Sequence, residues 1–184
     1  MVTPRCPADA AARAARIALV VTDNDGVLTD GTVHVSANGE DTKVYSVRDG
    51  MGVERLRQAG IATALITREP PLLVAPRARK LELPHLWTQV RDKRAHLPRM
   101  LDEARATLDQ LAYIGDDLND LDIIEAIGDV GLTAAPGDAM PRVRDSVHYV
   151  CTAPGGRGAF REFAEWLIDL RTAEAHHEKR RPDR

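Results

Sequence analysis

Several features that would narrow the class of this chain early are missing from it. It carries two cysteines in 184 residues, Cys6 and Cys151. Two thiols so far apart make neither a disulfide framework nor a cysteine zinc site. No apolar run approaches the roughly 20 residues that span a bilayer. The opening MVTPRCPADAAARAAR has no apolar core of the kind a secretory leader needs. Charge of one sign is absent too: 25 basic residues are intermixed with 28 acidic ones, for a net charge of −3. That excludes an electrostatic nucleic-acid surface. The expectation is therefore a cytoplasmic protein with neither membrane nor nucleic-acid partners. A hydrophobic content of 43% with 29% charged residues is ordinary for a globular chain, and the length suits one well-buried domain.

What is present alternates between strand and helix. Residues 1–15 are rich in Ala and Arg, with Pro4 and Pro7, and are expected to form a loose lead-in. Residues 16–173 read as one domain and 174–184 as a disordered polar tail. A β-branched strand over Ile17–Thr22 runs into Asp23, Asn24, Asp25 and Gly26. Next comes an alternating segment, residues 32–47, broken by Asn38-Gly39, the strongest short hairpin signal a sequence offers. Met51, Val53, Leu56 and Ala59 mark a helix closed by Gly60. Strands are expected at Ile61–Thr67, around LPHLWTQ, at LAYIG, at Val130–Leu132 and at Val147–Val150. Helices are expected over Leu72–Lys80, made irregular by Pro76, then over Arg94–Leu108, from GDDLND to Ile127, and over Arg157–Ala173. Strands alternating with helices throughout mean an α/β sandwich on a mostly parallel sheet.

In such a sheet ligands bind at the carboxyl ends of the strands. Those ends carry Asp23 with Asp25, then Thr67, then Lys93 just past the third strand region, then Asp116-Asp117 with Asp120. Taken singly, these residues read as an acidic turn, a capping threonine, a solvated lysine and an acidic helix start. Together, and in strand order, carboxylates plus a lysine and a hydroxyl suit Mg²⁺, which takes oxygen ligands, and a phosphate balanced by the lysine. On an extended chain the side chain of Asn24 points away from both aspartates.

DNDGVLTDG, the strand-end Thr67, Lys93 and GDDLND resemble the four motifs of the haloacid dehalogenase superfamily of phosphatases. ANGEDTKVYSVRDGMG and GGRGAFRE extend the resemblance to its capless branch, to which the 3-deoxy-D-manno-octulosonate 8-phosphate phosphatases belong. The resemblance implies a Rossmann-like three-layer α/β/α fold with a β-hairpin inserted after the first strand. It implies a Mg²⁺-dependent phosphomonoesterase acting on a phosphorylated sugar through an aspartyl-phosphate. Asp23 is then the nucleophile and Asp25 the acid and base, with Thr67 and Lys93 on the phosphoryl group. Asp23, Asp25 and Asp116 hold the metal, backed by Asp117 and Asp120. Ser46, Arg48, Asp49, Gly50, Arg77 and Arg157 join Asp25 and Lys93 in substrate binding. The resembled branch assembles as homotetramers through the hairpin, and GGRGAFRE, with Arg157 at its tip, is expected to swing as a flexible gate.

One departure stands out. Motif two in this branch commonly reads TGR or SGR, whereas here it is Thr67-Arg68-Glu69. A gap-free alignment puts Glu69 where relatives use an arginine to bind the anionic sugar acid. That opens a phosphatase for a different sugar phosphate, such as a nonulosonate 9-phosphate, and a non-catalytic phosphatase-like assembly module as alternatives. A phosphoacceptor receiver domain shares the residue types but needs no second aspartate two residues on, so Asp25 argues against it.

Overall fold

The computed structural model describes residues 6–178. Its centre is a six-stranded sheet in the order β5-β4-β1-β6-β7-β8, every neighbouring pair parallel. The strands are β1 (Leu19–Thr22), β4 (Ala62–Ile66), β5 (His85–Trp87), β6 (Leu111–Ile114), β7 (Leu132–Ala135) and β8 (Tyr149–Val150). A separate antiparallel pair, β2 (His34–Ser36) and β3 (Gly39–Thr42), forms the hairpin. The chain leaves β1 toward β4 and β5 on one side, then crosses back to β6 on the other. The order therefore reverses at β1, which opens a crevice at the strand ends there.

Alternate side chains of each strand feed two cores. Val20, Leu65, Ala112, Ile114 and Ala134 face one side, where they meet α1 (Ala10–Arg16), α2 (Val47–Gln58) and α7 (Ala159–Glu178) through Ala14, Leu56, Phe160 and Phe163. Val21, Ala64, Ile66 and Tyr113 face the other side. They meet α4 (Lys93–Ala104), α5 (Leu121–Gly128) and α6 (Pro141–Arg144) through Leu97, Met100, Ile123, Ile127 and Val143. The three-layer α/β sandwich is as expected.

Several boundaries differ from the sequence reading. The expected loose lead-in contains α1, whose Ala10 and Ala14 are buried in the core with residues of α7. The side chains of this Ala/Arg segment are small enough to lie close against a neighbouring helix. Residues 1–5 lie outside the described residues, as do residues 179–184 of the expected tail, whereas residues 174–178 continue α7. The hairpin is shorter than 32–47, because Ser46 ends it by capping α2: its Oγ accepts from the backbone N–H groups of Arg48 and Asp49. Val47, expected in a strand, is the first residue of that helix. Pro76 does not break α3 (Pro71–Lys80). Both Pro76 and Leu72, four residues earlier, are exposed, so the carbonyl that a prolyl nitrogen cannot satisfy faces water.

Asp49, expected to bind substrate, is engaged in this structure by the backbone at the start of α7. It is 1% exposed, and its carboxylate accepts from Gly158 N and Arg161 N at 3.1 Å each. A residue of α2 thus caps the first turn of α7. Removing such a cap costs about 1–2 kcal/mol, so Asp49→Ala should lower the urea unfolding midpoint accordingly while the folded protein keeps its KM. An unchanged midpoint, or a raised KM at full stability, would restore Asp49 to the substrate.

Candidate active site

The crevice at the strand ends is a cavity of ≈ 300 Å³ lined by Asp23, Asp25, Gly26, Gly31, Thr67, Arg68, Glu69, Asp116, Asp117 and Asn119. No side chain in that lining is apolar. An apolar ligand would gain little there, whereas a polar phosphorylated one with a cation would be well matched.

The floor is built around Lys93, the first residue of α4 and only 1% exposed. Its Nζ lies 2.7 Å from Asp23 Oδ2 and 2.5 Å from Asp120 Oδ1. Burial works against its charge, but the two carboxylates outweigh that and raise its pKa. Asp23 follows β1 and is anchored on both sides of its backbone. Its N–H donates to Ile114 O of β6 at 3.0 Å, and its Oδ1 accepts from Asn24 N at 2.7 Å. Burial, opposed by Lys93 and aided by Asp120, pushes the Asp23 carboxyl up to about 7. Burial also lifts Asp116, reinforced by Asp23, Asp120 and Asp117, up to about 8.

Asp23, Asp116 and Asp120 each offer an oxygen within 4.8 Å of the others. Asp120 is already saturated, however. Tyr113 Oη and Lys93 donate to its Oδ1, and the backbone N–H groups of Asp116 and Asp117 donate to its Oδ2. It ties down the backbone of the Asp116-Asp117 loop. The remaining oxygen donors of Asp23 and Asp116 are hard, close together and mutually repelling. That donor chemistry fits Mg²⁺. Gly26 allows the approach of Asp116: with φ of +79°, a Cβ there would lie 2.0 Å from Asp116 Oδ2.

Thr67, at the end of β4, is 2% exposed and its Oγ1 accepts from Glu69 N at 3.1 Å. Asn24 does not point away from Asp25. β1 stops at Thr22, so strand alternation no longer applies, and Asn24 Nδ2 donates to Asp25 Oδ1 at 3.1 Å. Ser46, Arg48, Asp49, Gly50, Arg77 and Arg157 are absent from the cavity lining. Arg77 donates to Ser46 O at 2.8 Å and lies over the Tyr45 ring, and Gly50 leaves room for it, since a Cβ there would fall 2.7 Å from Arg77 Nη2. The glycines of GGRGAFRE are packed rather than free to swing. A Cβ on Gly155 would stand 1.9 Å from Gly26 O, and Gly156 N donates to Val27 O at 2.8 Å. Arg157 is exposed and reaches Asp30 at 3.5 Å.

Two residues escaped the sequence reading. Arg68 lines the cavity, its Nη2 donating to Arg91 O at 3.2 Å. Lys43, just after the hairpin, buries its side chain against Asp25. The departure from TGR could have flagged Arg68, but no local signal marks Lys43.

The chain is 38% identical over 160 residues to 3-deoxy-D-manno-octulosonate 8-phosphate phosphatase KdsC of Yersinia pestis, covering 87% of this chain and 84% of the relative. It belongs to that family of haloacid dehalogenase superfamily phosphatases. No family model matches the chain. The cobalt-bound deoxy-D-mannose-octulosonate 8-phosphate phosphatase of Haemophilus influenzae superposes with a TM-score of 0.82 at 34% identity, over 87% of this chain and 92% of that one. The Moraxella catarrhalis 3-deoxy-D-manno-octulosonate 8-phosphate phosphatase, in complex with magnesium, phosphate and KDO, gives a TM-score of 0.81 at 31% identity, over 93% and 97%.

Raised carboxyl pKa values in the family's acidic floor have a measurable consequence. Without a cation, Asp23 and Asp116 hold protons above the ordinary carboxylate range, and a bound divalent cation must expel them. Mg²⁺ binding should therefore release protons at neutral pH and tighten as pH rises toward about 8. Calorimetry in buffers of different ionisation enthalpy checks this; a heat independent of buffer would contradict it.

Proposed function

We propose that the chain is a Mg²⁺-dependent phosphomonoesterase that hydrolyses 3-deoxy-D-manno-octulosonate 8-phosphate, or a related 2-keto-3-deoxy sugar acid phosphate. The observation that carries this reading is the buried Asp23–Lys93 pair, 2.7 Å apart, whose aspartate lines a cavity with no apolar side chain. Asp23 attacks phosphorus in line while the bond to the sugar oxygen breaks, leaving an aspartyl-phosphate. Asp25 gives its proton to the departing oxygen, then takes one from the water that cleaves the aspartyl-phosphate. Lys93 offsets charge on Asp23 and the phosphoryl group, and the Thr67 hydroxyl donates to a phosphoryl oxygen. Asp23, the Asp25 carbonyl and Asp116 are the residues that would hold Mg²⁺. An ion held there would offset part of the negative charge of the carboxylates and the phosphate dianion. Fixed charges of this kind act without reorganising during the reaction.

Asp23→Asn should lower turnover by on the order of 10⁴-fold or more, as loss of a nucleophile does elsewhere, and EDTA should stop the reaction until Mg²⁺ is restored. Phosphate release from a panel of sugar phosphates measures both. Substantial Asp23→Asn activity would rule out the covalent route, and an inert but folded wild type would favour the assembly-module reading.

A second substrate is favoured by Glu69, whose carboxylate lines the cavity. A nonulosonate 9-phosphate, or another sugar phosphate of a specialised pathway, would meet this charge differently from the octulosonate. Arg77 and Arg48 do not line the cavity, and Arg68 is the one arginine in its lining among the described residues. Glu69→Arg should lower KM for an acidic sugar phosphate more than for a neutral one. Equal responses would mean that Glu69 does not face the sugar.

The homotetramer is proposed on the hairpin. It pairs only with itself, which is marginal in water, and apolar surface clusters around it: Val35, Val44 and Val47 are 70%, 59% and 83% exposed. Arg157, on the surface and in reach of Asp30, is proposed to meet substrate in its own or a neighbouring site of that assembly. Light scattering should report a mass of four chains; a fully active monomer would refute the assembly but not the chemistry. A cytoplasmic location is proposed on the same footing, no helix among the described residues being long and apolar enough to cross a membrane.

A further inference from the structure

Lys43 emerges from an exposed hairpin, yet its side chain is 1% exposed. Its Nζ lies 2.7 Å from Asp25 Oδ1 and 3.8 Å from Glu69 Oε2. The same Asp25 Oδ1 accepts from Asn24 Nδ2 at 3.1 Å and from Thr29 Oγ1 at 3.3 Å. Three donors thus converge on one carboxylate oxygen, and among the described residues none reaches Oδ2. Asn24 is itself held, its Oδ1 accepting from Tyr45 Oη at 3.1 Å. Lys43 and Tyr45 come from the segment that leaves the hairpin, so that segment and the β1 loop grip the same carboxyl group.

We propose that Lys43, backed by Glu69, is a positioning residue that occupies Asp25 Oδ1 and so leaves Oδ2 as the oxygen through which Asp25 meets the substrate. An oxygen whose lone pairs already accept three hydrogen bonds has none left for a proton. Oδ2 is therefore the oxygen left for proton exchange, on a carboxyl group that lines the cavity and is 31% exposed. As the bond between phosphorus and the sugar oxygen breaks, that oxygen takes the proton from Oδ2. In the second half, the attacking water returns a proton to Oδ2 as its oxygen bonds to phosphorus and the bond from phosphorus to Asp23 breaks. Glu69 then has a defined use: it holds the far side of the ammonium group. A long, flexible lysine is kept in one geometry by two carboxylates on different loops. Misaimed acids lose rate steeply, because proton transfer needs hydrogen-bond reach in the transition state.

The proposal rests on Asp25 being the acid and base, and the test separates the two ideas. First-turnover rates would be measured by rapid quench on two esters, an alkyl sugar phosphate and p-nitrophenyl phosphate. The second has a leaving group that departs without a proton. Lys43→Met should slow the alkyl ester by about 10²-fold, the low end of what a general acid contributes, and leave the p-nitrophenyl ester nearly unchanged. That unchanged rate also certifies an intact fold. Lys43→Arg, which keeps a donor to Oδ1, should recover most of the alkyl rate. Equal slowing of both esters in Lys43→Met, or slowing of neither, would overturn the role of Lys43 if Asp25→Asn still separates them. If Asp25→Asn fails to separate the esters, the acid–base role of Asp25 falls and this proposal with it.

Discussion

A lysine ammonium group buried in the middle of a fold is tolerable only if opposite charge surrounds it, and Lys93 meets that condition through Asp23 and Asp120. Losing one partner of such a buried pair typically costs about 3–5 kcal/mol, because the remaining charge stays desolvated and alone. Much of the surrounding structure serves this constraint. α4 begins at the lysine itself, with Asp92 capping that helix through Ala95 N. Tyr113 on β6 and the backbone N–H groups of Asp116 and Asp117 hold Asp120 in place. β1 and β6 fix Asp23 through the Ile114 carbonyl. The contacts that stabilise the buried lysine also fix the Asp23 carboxylate in place before any ligand arrives.

Above this floor the β1 loop is held between two other segments. Asp116 presses on it from one side, where only a glycine at position 26 leaves space, and Gly155-Gly156 pack on it from the other. Asp49 then ties the end of the glycine-rich segment to α2. The glycines permit close approach rather than motion. This rigidity places carboxylates near one another at a cost, visible in the raised pKa values of Asp23 and Asp116. A divalent cation removes that cost, so metal binding and substrate binding complete an electrostatic arrangement that the fold leaves strained.

The rim is a different matter from the floor. Arg68, Glu69 and Lys43 come from loops, where substitution leaves the sheet untouched. Chemistry shared across the family and a divergent specificity shell can therefore coexist in one chain. Glu69 illustrates this: as a lone charge it would repel an acidic ligand, whereas beside Lys43 it supports a cation that touches Asp25.

The α/β architecture was legible because apolar strand runs alternate with amphipathic helices, and the motif residues Asp23, Asp25, Thr67 and Asp116 because a parallel sheet brings its strand ends to one edge. These features depend on short-range pattern, which a sequence displays directly. Helix α1 was missed although Ala and Arg favour helix; what local propensity does not record is that its Ala10 and Ala14 pack in the core with residues of α7. The partners of Asp49, Arg77 and Arg157 were not legible either; they lie at Gly158 and Arg161, at Ser46 and at Asp30. The sequence by itself determined the fold class and the oxygen-rich metal chemistry. Only the tertiary structure decided which charges face the cavity and which are neutralised within the protein, because pairing between distant residues depends on distances that sequence order does not encode.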